Sequence, residues 1–158
     1  MINNTATDIY LRKSTMTFND DTNILQMNGI EFNQQNYNKI IGVQVVEVFD
    51  NAENESPSLY KCFFRLQTGV RLITKSNQED QKVMFEIVAE HDAVFESKDR
   101  IDESILEKFS ESEEISNSIW PYWKEHVSSI CSKAGISPLN IPAPKKNKPI
   151  KITGSKQL

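Results

Sequence analysis

Both tryptophans of the chain lie in one short stretch, Ile119-Trp120-Pro121-Tyr122-Trp123-Lys124-Glu125-His126-Val127, which runs on to Ile130 and Cys131. Apolar side chains recur through it at helical spacing, at Ile115, Ile119, Trp123, Val127 and Ile130, with Tyr122 beside them. This spacing places them on one side of an amphipathic helix. The stretch therefore predicts a helix packed against a core, and its paired tryptophans leave a binding role open.

Pro121 allows two interpretations of this helix. Inside the helix, the proline removes the hydrogen bond to the carbonyl of Asn117 and kinks the chain. Alternatively, the regular part begins near Ser118 and Pro121 lies in the first turn, where it does little harm. Lys133 in the last turn and Gly135 just after it are typical of a helix end.

Length and charge limit the class of protein. The chain has 158 residues, which suit one domain with one core. The net charge of −4 does not indicate a nucleic-acid-binding surface. We find no secretory signal and no apolar run long enough to span a membrane. Cys62 and Cys131 lie on apolar faces and are predicted to be buried free thiols in a reducing compartment, so we expect a soluble cytoplasmic protein.

Alternating apolar and polar residues predict four strands, at 8–19, 39–50, 59–74 and 82–96. In the first strand the alternation breaks near Lys13 and Ser14, which indicates a bulge. Polar turns separate the strands at 20–23, 51–58 and 75–81. The second strand carries apolar side chains on both faces. We predict Ile41, Val43, Val45 and Phe49 on one face and Ile40, Val46 and Val48 on the other.

Residues 24–36 show no clear period and are predicted to form a long crossover loop between the first two strands. Loops of this length are often functional. Residues 1–7 are polar and expected to fray.

After residue 97 the period changes from two to about 3.6. Asp102 can cap a short helix that runs through Phe109, and the main helix follows. Residues 136–144 contain three prolines and are predicted to be extended, and residues 145–158 carry five lysines and are predicted to form a flexible basic tail. The order of elements predicts an α+β domain over residues 8–144, with a four-stranded antiparallel sheet and the helix on one face.

The sequence offers little for catalysis or metal binding. None of its five glycines lies in a phosphate-binding pattern. His91 lies in the apolar row of the fourth strand and is interpreted as a satisfied core histidine. His126 and Cys131 are five residues apart on the helix and do not face each other well. We therefore expect no enzymatic activity, no catalytic residues and no metal site.

Two motifs carry a family resemblance. Ile119-Trp120-Pro121-Tyr122, followed by Gly135 and Pro138-Leu139-Asn140-Ile141-Pro142, resembles the SecB family of export chaperones. Ile9-Tyr10 and Met16-Thr17-Phe18 of the first strand also fit, and the resemblance covers residues 8–144. It implies a homotetramer built as a dimer of dimers, without cofactor or ATP, that holds unfolded polypeptide in apolar grooves. No nucleic acid and no membrane insertion are expected.

The resemblance also implies a client-binding groove lined by the crossover loop and the start of the main helix. The residues at these positions are Ile24, Leu25, Met27, Ile30, Phe32, Trp120, Tyr122 and Trp123. The same side chains are compatible with plain core packing or oligomer contacts, and the sequence leaves this alternative open.

The chain departs from the export chaperones where they dock the translocase motor. Of the family's docking acids, Glu86 on the fourth strand is kept, whereas Ser14 and Asn19 on the first strand are neutral. The lysine-rich tail replaces the family's motor-binding tail. These losses resemble the branch that serves toxin–antitoxin–chaperone modules. The expected client is therefore an antitoxin, and the alternatives are a general chaperone for exported preproteins or a purely structural adaptor subunit.

Overall fold

A computed structural model of the protein describes residues 1–19, 23–27, 30–75 and 81–144. Four strands precede two helices, as predicted, and a single helical turn lies between the first two strands. The elements are β1 (Asp8–Phe18), α1 (Ile24–Met27), β2 (Phe32–Val48), β3 (Leu59–Thr74), β4 (Val83–Ser97), α2 (Glu103–Ser110) and α3 (Glu114–Ala134). Most of the predicted turn at 20–23, most of the loop at 75–81 and the basic tail at 145–158 lie outside the described residues.

The strands form one antiparallel sheet in the order β1-β4-β3-β2. Hairpin connections join β2 to β3 and β3 to β4, which favours antiparallel pairing of neighbours. Because β1 and β2 lie at opposite edges, the chain between them must cross the sheet. The predicted crossover is therefore confirmed, and the α+β class with it.

The predicted start of the second strand is wrong, because β2 begins at Phe32 rather than at residue 39. Residues 32–38 pair residue by residue with 68–74 of β3, so they belong to the sheet and not to the crossover loop. Their amide-rich side chains show no apolar alternation. The strand forms because β3 offers a full row of backbone partners to an edge strand.

Two bulges alter the faces that the strands present. In β1 the register shifts between Leu11 and Lys13, next to the predicted break. In β2 it shifts between Ile40 and Gly42, which the sequence analysis missed. Ile40 therefore packs on the core together with Val43 and Val45, while Ile41 is 41% exposed. The predicted faces of the second strand are wrong at Ile40 and Ile41, because a bulge exchanges inward and outward positions.

The core lies between one face of the sheet and the helices. Alternate residues of β3 and β4 are buried, and α3 contacts β4, β3 and β1. Phe64, Phe95 and Phe109 join β3, β4 and α2 through tilted and edge-to-face ring contacts. Cys62 and Cys131 are free and buried, as predicted, and burial raises the pKa of the Cys62 thiol to about 12.

The helix ends follow the sequence signals. The Asp102 side chain accepts a hydrogen bond of 2.9 Å from the N–H of Ile105 and caps α2. Gly135 ends α3 in the left-handed conformation, with φ of 71°, which a glycine adopts without steric cost. Pro121 lies in the interior of α3, seven residues after its start at Glu114, which is the position that the first of the two interpretations gives it.

The N-terminal residues do not fray, contrary to expectation. Ile2 is buried in the core, and the N–H groups of Asn3 and Thr7 donate to the carbonyls of Glu96 and Val94, each at 2.8 Å. Burial of one isoleucine and these backbone bonds hold a segment that looked polar. The domain span of residues 8–144 stays a prediction, and Ile2 packs on it from outside that span. No helix in the described part of the chain combines the length and apolar character needed to cross a membrane.

Candidate functional site

Two open clefts lie along β2, on the face of the sheet that carries α3. The first, named here the tryptophan cleft, spans about 530 Å³, open solvent included, between β2, β3, the first half of α3 and the chain that follows α3. Its lining residues are Asn36, Tyr37, Asn38, Leu66, Thr68, Ser116, Ile119, Trp120, Trp123, Ile141, Pro142, Ala143 and Pro144.

The second cleft, named here the loop cleft, lies further towards the start of β2 and spans about 880 Å³, again with open solvent included. The crossover reaches it through Met27 of α1, and β2 contributes Phe32 and Gln34. Leu72 of β3 and residues 135–139 complete its wall. Both clefts therefore combine apolar side chains with a few amide groups, a lining that suits ligands with apolar parts.

Residues 136–144, named here the strap, form part of the wall of both clefts. Three prolines keep the strap from forming a helix or joining the sheet. Ile141 is only 5% exposed and belongs to the core. The Gln34 side chain donates to the carbonyl of Asn140 at 2.7 Å, and the indole N–H of Trp120 donates to the carbonyl of Pro142 at 3.0 Å.

The two tryptophans have different surroundings although they are one helical turn apart. Trp123 is 4% exposed and packs in the core between α3 and the sheet. Trp120 is half-buried at the edge of the tryptophan cleft, and the Lys124 ammonium lies 4.8 Å from the centroid of its ring. Trp120 thus presents an aromatic face and a polar N–H at an accessible site, whereas Trp123 supports the wall from behind.

The structure brings together half of the predicted client-binding residues. Met27 and Phe32 line the loop cleft, and Trp120 and Trp123 line the tryptophan cleft. Leu25 is 80% exposed, and Ile30 and Tyr122 are also exposed and line neither cleft. The side chain of Ile24 lies outside the described part of the structure. A role in client binding stays a prediction for all eight residues.

Sequence reasoning missed the contribution of β2 and the strap to these clefts. Gln34, Asn36 and Asn38 point to the side of α3, and the Asn38 amide donates to the Ser116 hydroxyl at 3.1 Å. An amide-rich run at 33–38 was the available signal. Residues 33–36 of this run fall within the predicted crossover loop, so their pairing with β3 was not expected.

A histidine pair lies where α3 meets the sheet. The rings of His91 and His126 are 6.3 Å apart and nearly perpendicular, and His126 Nε2 lies 2.6 Å from the Ser14 hydroxyl. His91 is buried, but its Nδ1 has no hydrogen-bond partner among the described residues, so the interpretation as a satisfied histidine is wrong. The reason is the apolar surroundings that α3 and β3 provide there.

Both histidines favour the neutral form. Burial, then the nearby His126, lowers the pKa of His91 to about 4. Burial, then the charge of Lys133, lowers the pKa of His126. Within the described ranges, no three His, Cys, Asp or Glu side chains lie close enough together to hold a metal ion.

The outer face of the sheet, turned away from α3, carries charged pairs. Arg65 donates two hydrogen bonds to Asp92, at 2.7 and 3.0 Å, and Arg12 lies 3.5 Å from the same carboxylate. Glu86 is half-buried on this face and sits opposite Arg71 of β3. It lies on the far side of the sheet from both clefts, and its predicted motor-docking role stays a prediction.

The chain resembles known proteins in structure rather than in sequence. No protein-family model matches the chain, and no curated protein matches its sequence. Among solved structures, it is similar to the Mycobacterium tuberculosis Rv1957 SecB-like chaperone in complex with a ChAD peptide from the Rv1956 HigA1 antitoxin. The TM-score is 0.60, and the match covers 92% of this chain and 91% of that one.

The chain has a SecB-like fold. The predicted resemblance is thereby confirmed at the level of architecture, and at 15% identity the likeness concerns architecture alone. The tryptophan cleft lies between the β2 edge of this sheet, α3 and the strap, and the loop cleft lies between the same edge, α1 and the strap.

Proposed function

We propose that this chain is a chaperone that holds unfolded polypeptide segments in the two clefts without using ATP. The observation that carries the proposal is the pair of partly apolar clefts that follow β2 of a SecB-like sheet. Trp120 and Met27 stand at the two ends of this surface. The chain works in the cytoplasm as a homotetramer.

The lining suits an occupant with no fixed sequence. Apolar burial contributes roughly 25 cal/mol per Å² whatever the side chain, and the flexible thioether of Met27 adapts to different shapes. The indole N–H of Trp120 and the Gln34 amide donate to backbone carbonyls in the free chain, and every peptide offers such acceptors. Many weak contacts along one bound segment sum to a useful affinity.

An antitoxin is the client that we favour. The SecB-like chaperone to which this chain is similar was solved with an antitoxin peptide. Ser14 and Asn19 are neutral at the positions where, by the family resemblance, the export chaperones carry acids that dock the translocase motor. Two carboxylates of the outer face are paired with cations, Asp92 with Arg65 and Glu96 with Lys61, which weakens that face as an acidic docking surface.

A general export chaperone is the second candidate, and the half-buried Glu86 is the observation that favours it. The two candidates differ in the client. A toxin–antitoxin gene pair next to the gene for this chain would support the first. Stronger binding to preprotein segments than to the neighbouring antitoxin would support the second.

The test is binding of a fluorescent, reduced and carboxymethylated polypeptide that cannot refold, measured by anisotropy with and without ATP. We expect binding that ATP does not change. The triple variant Leu25→Ser, Met27→Ser, Phe32→Ser should weaken binding at least tenfold, because Met27 and Phe32 are two apolar residues of the loop cleft and Leu25 is an exposed apolar side chain of the same crossover.

The matched control is Ile41→Ser, Val46→Ser, Phe49→Ser, which removes three exposed apolar side chains that line neither cleft. It should bind like the parent. Equal binding by the triple variant and the parent would move the site elsewhere, and dissociation of the triple variant into monomers would favour the structural adaptor.

A further inference from the structure

The strap resembles the kind of ligand that the clefts are built to take. It is a stretch without helix or strand, with apolar side chains at Ile136, Leu139 and Ile141 that pack against the core. Its backbone carbonyls accept hydrogen bonds from the side chains of Gln34 and Trp120. An unfolded polypeptide presents the same two features, spaced apolar side chains and free carbonyls.

We propose that the strap is an intramolecular occupant of the client site, which a bound client segment displaces. This inference rests on the proposed function and deepens it by naming what holds the site in the free chain. The strap thus competes with clients and lowers their affinity for the clefts. The spacing of its apolar side chains is also the spacing that a client needs in order to replace it.

The geometry favours a removable segment over a fixed wall. The hydrogen bonds that Gln34 and Trp120 donate to the strap are exposed to solvent, where water competes for the same groups, and the buried Cys131 thiol accepts a further one from the backbone of Leu139. Residues 136–144 pair with no strand in the described chain, so the sheet does not hold them by a backbone ladder. One side chain, Ile141, is the buried anchor.

Release of the strap would join the two clefts. Ile141 and Pro142 line the tryptophan cleft, and Pro138 and Leu139 line the loop cleft. Once they withdraw, the surface runs along β2 from Phe32 to Asn38, about 20 Å at the rise of a strand, which fits about six extended residues. A client with two apolar residues at the strap's spacing can then replace Leu139 and Ile141.

The test follows amide hydrogen exchange of residues 136–144 by mass spectrometry, in the full chain with and without the carboxymethylated polypeptide. We expect the strap amides to exchange at least threefold faster when the polypeptide is bound, because the Leu139 N–H loses its hydrogen bond to the Cys131 thiol and the segment leaves its buried position. Unchanged or slower exchange on binding would show that the strap is a wall that the client covers, and would overturn the inference alone.

A variant gives the second arm. Ile141→Ser removes the buried anchor and should lower the Kd for the polypeptide at least threefold, whereas Ile105→Ser, an exposed apolar change on α2, should leave it unchanged. Weaker binding by a folded Ile141→Ser would contradict the inference, and if that variant does not fold, exchange in the parent decides. If neither parent nor variant binds the polypeptide, the proposed function itself fails. If only Ile141→Ser binds the polypeptide, the strap of the parent excludes the polypeptide from the clefts, and the inference holds.

Discussion

Trp120 and Trp123 occupy one helical turn, and their contributions to stability should differ. Trp123→Ala should lower the free energy of unfolding by about 3–5 kcal/mol, because it opens a cavity in the core. Trp120→Ala should cost less than about 2 kcal/mol, because the ring is half-exposed and its one hydrogen bond is worth about 1 kcal/mol net. Urea unfolding at neutral pH measures both, and equal losses would contradict the different roles.

The sequence could place both tryptophans on one amphipathic helix but not separate these roles. Trp123 belongs to the apolar row that continues to Val127, so its burial followed from helical spacing. The partner of Trp120 is the carbonyl of Pro142, 22 residues away, in a segment that carries no periodic signal. Contacts of this kind are decided by the packed structure and not by local pattern.

His91 should make stability depend on pH. Its pKa is about 4 in the folded chain and near 6.5 when exposed, so between these values only the unfolded chain binds the proton. The free energy of unfolding should therefore fall as the pH decreases through this window, by about 2 kcal/mol from pH 7 to pH 5. Urea unfolding at both pH values provides the measurement.

The control for this prediction is His91→Leu, which replaces the imidazole by an apolar side chain of similar size that does not titrate. Its loss of stability from pH 7 to pH 5 should be smaller than that of the parent by about the same 2 kcal/mol. The lowered pKa of His126 contributes in the same direction and remains in the variant. An identical pH dependence in parent and variant would show that His91 is not the responsible group.

In β2, the bulge between Ile40 and Gly42 can be tested with two neighbouring substitutions. Ile40→Thr should lower the free energy of unfolding by about 1–2 kcal/mol, because it places a hydroxyl among core side chains. Ile41→Thr should change it by less than about 0.5 kcal/mol, since that side chain is exposed and threonine suits a strand. A larger loss for Ile41→Thr than for Ile40→Thr would indicate that Ile41 faces the core, as strict alternation without a bulge predicts.

The elements differ in how well local pattern determines them. α2 and α3 carry capping residues and helical spacing, and β3 and β4 alternate cleanly, so their bounds followed closely from the sequence. The start of β2 did not, because residues 33–36 are all amides and join the sheet only through pairing with β3. The clefts were missed in part for the same reason, since that pairing aims Gln34 and Asn36 at α3.

At the scale of the whole molecule, most of β1 is exposed to solvent. Nine of its eleven residues are exposed, including Leu11 and Met16 on the side of α3, and its outer edge pairs with no strand among the described residues. Apolar edge strands of this length are prone to pair with another chain. The homotetramer that the family resemblance implies would give this edge a partner, and this assembly stays a prediction.

Sedimentation velocity at micromolar concentration should therefore show a tetramer, and Leu11→Lys with Met16→Lys should shift it to smaller species. Lysines on an edge strand oppose pairing with another copy because their charges would lie close together without water. Val46→Lys with Phe49→Lys, two exposed apolar positions at the end of β2 and just after it, should leave the tetramer intact. A monomeric parent would make the assembly prediction wrong. A tetramer that survives the lysines in β1 would place its interface elsewhere, with the exposed Tyr122 side of α3 as the next surface to test.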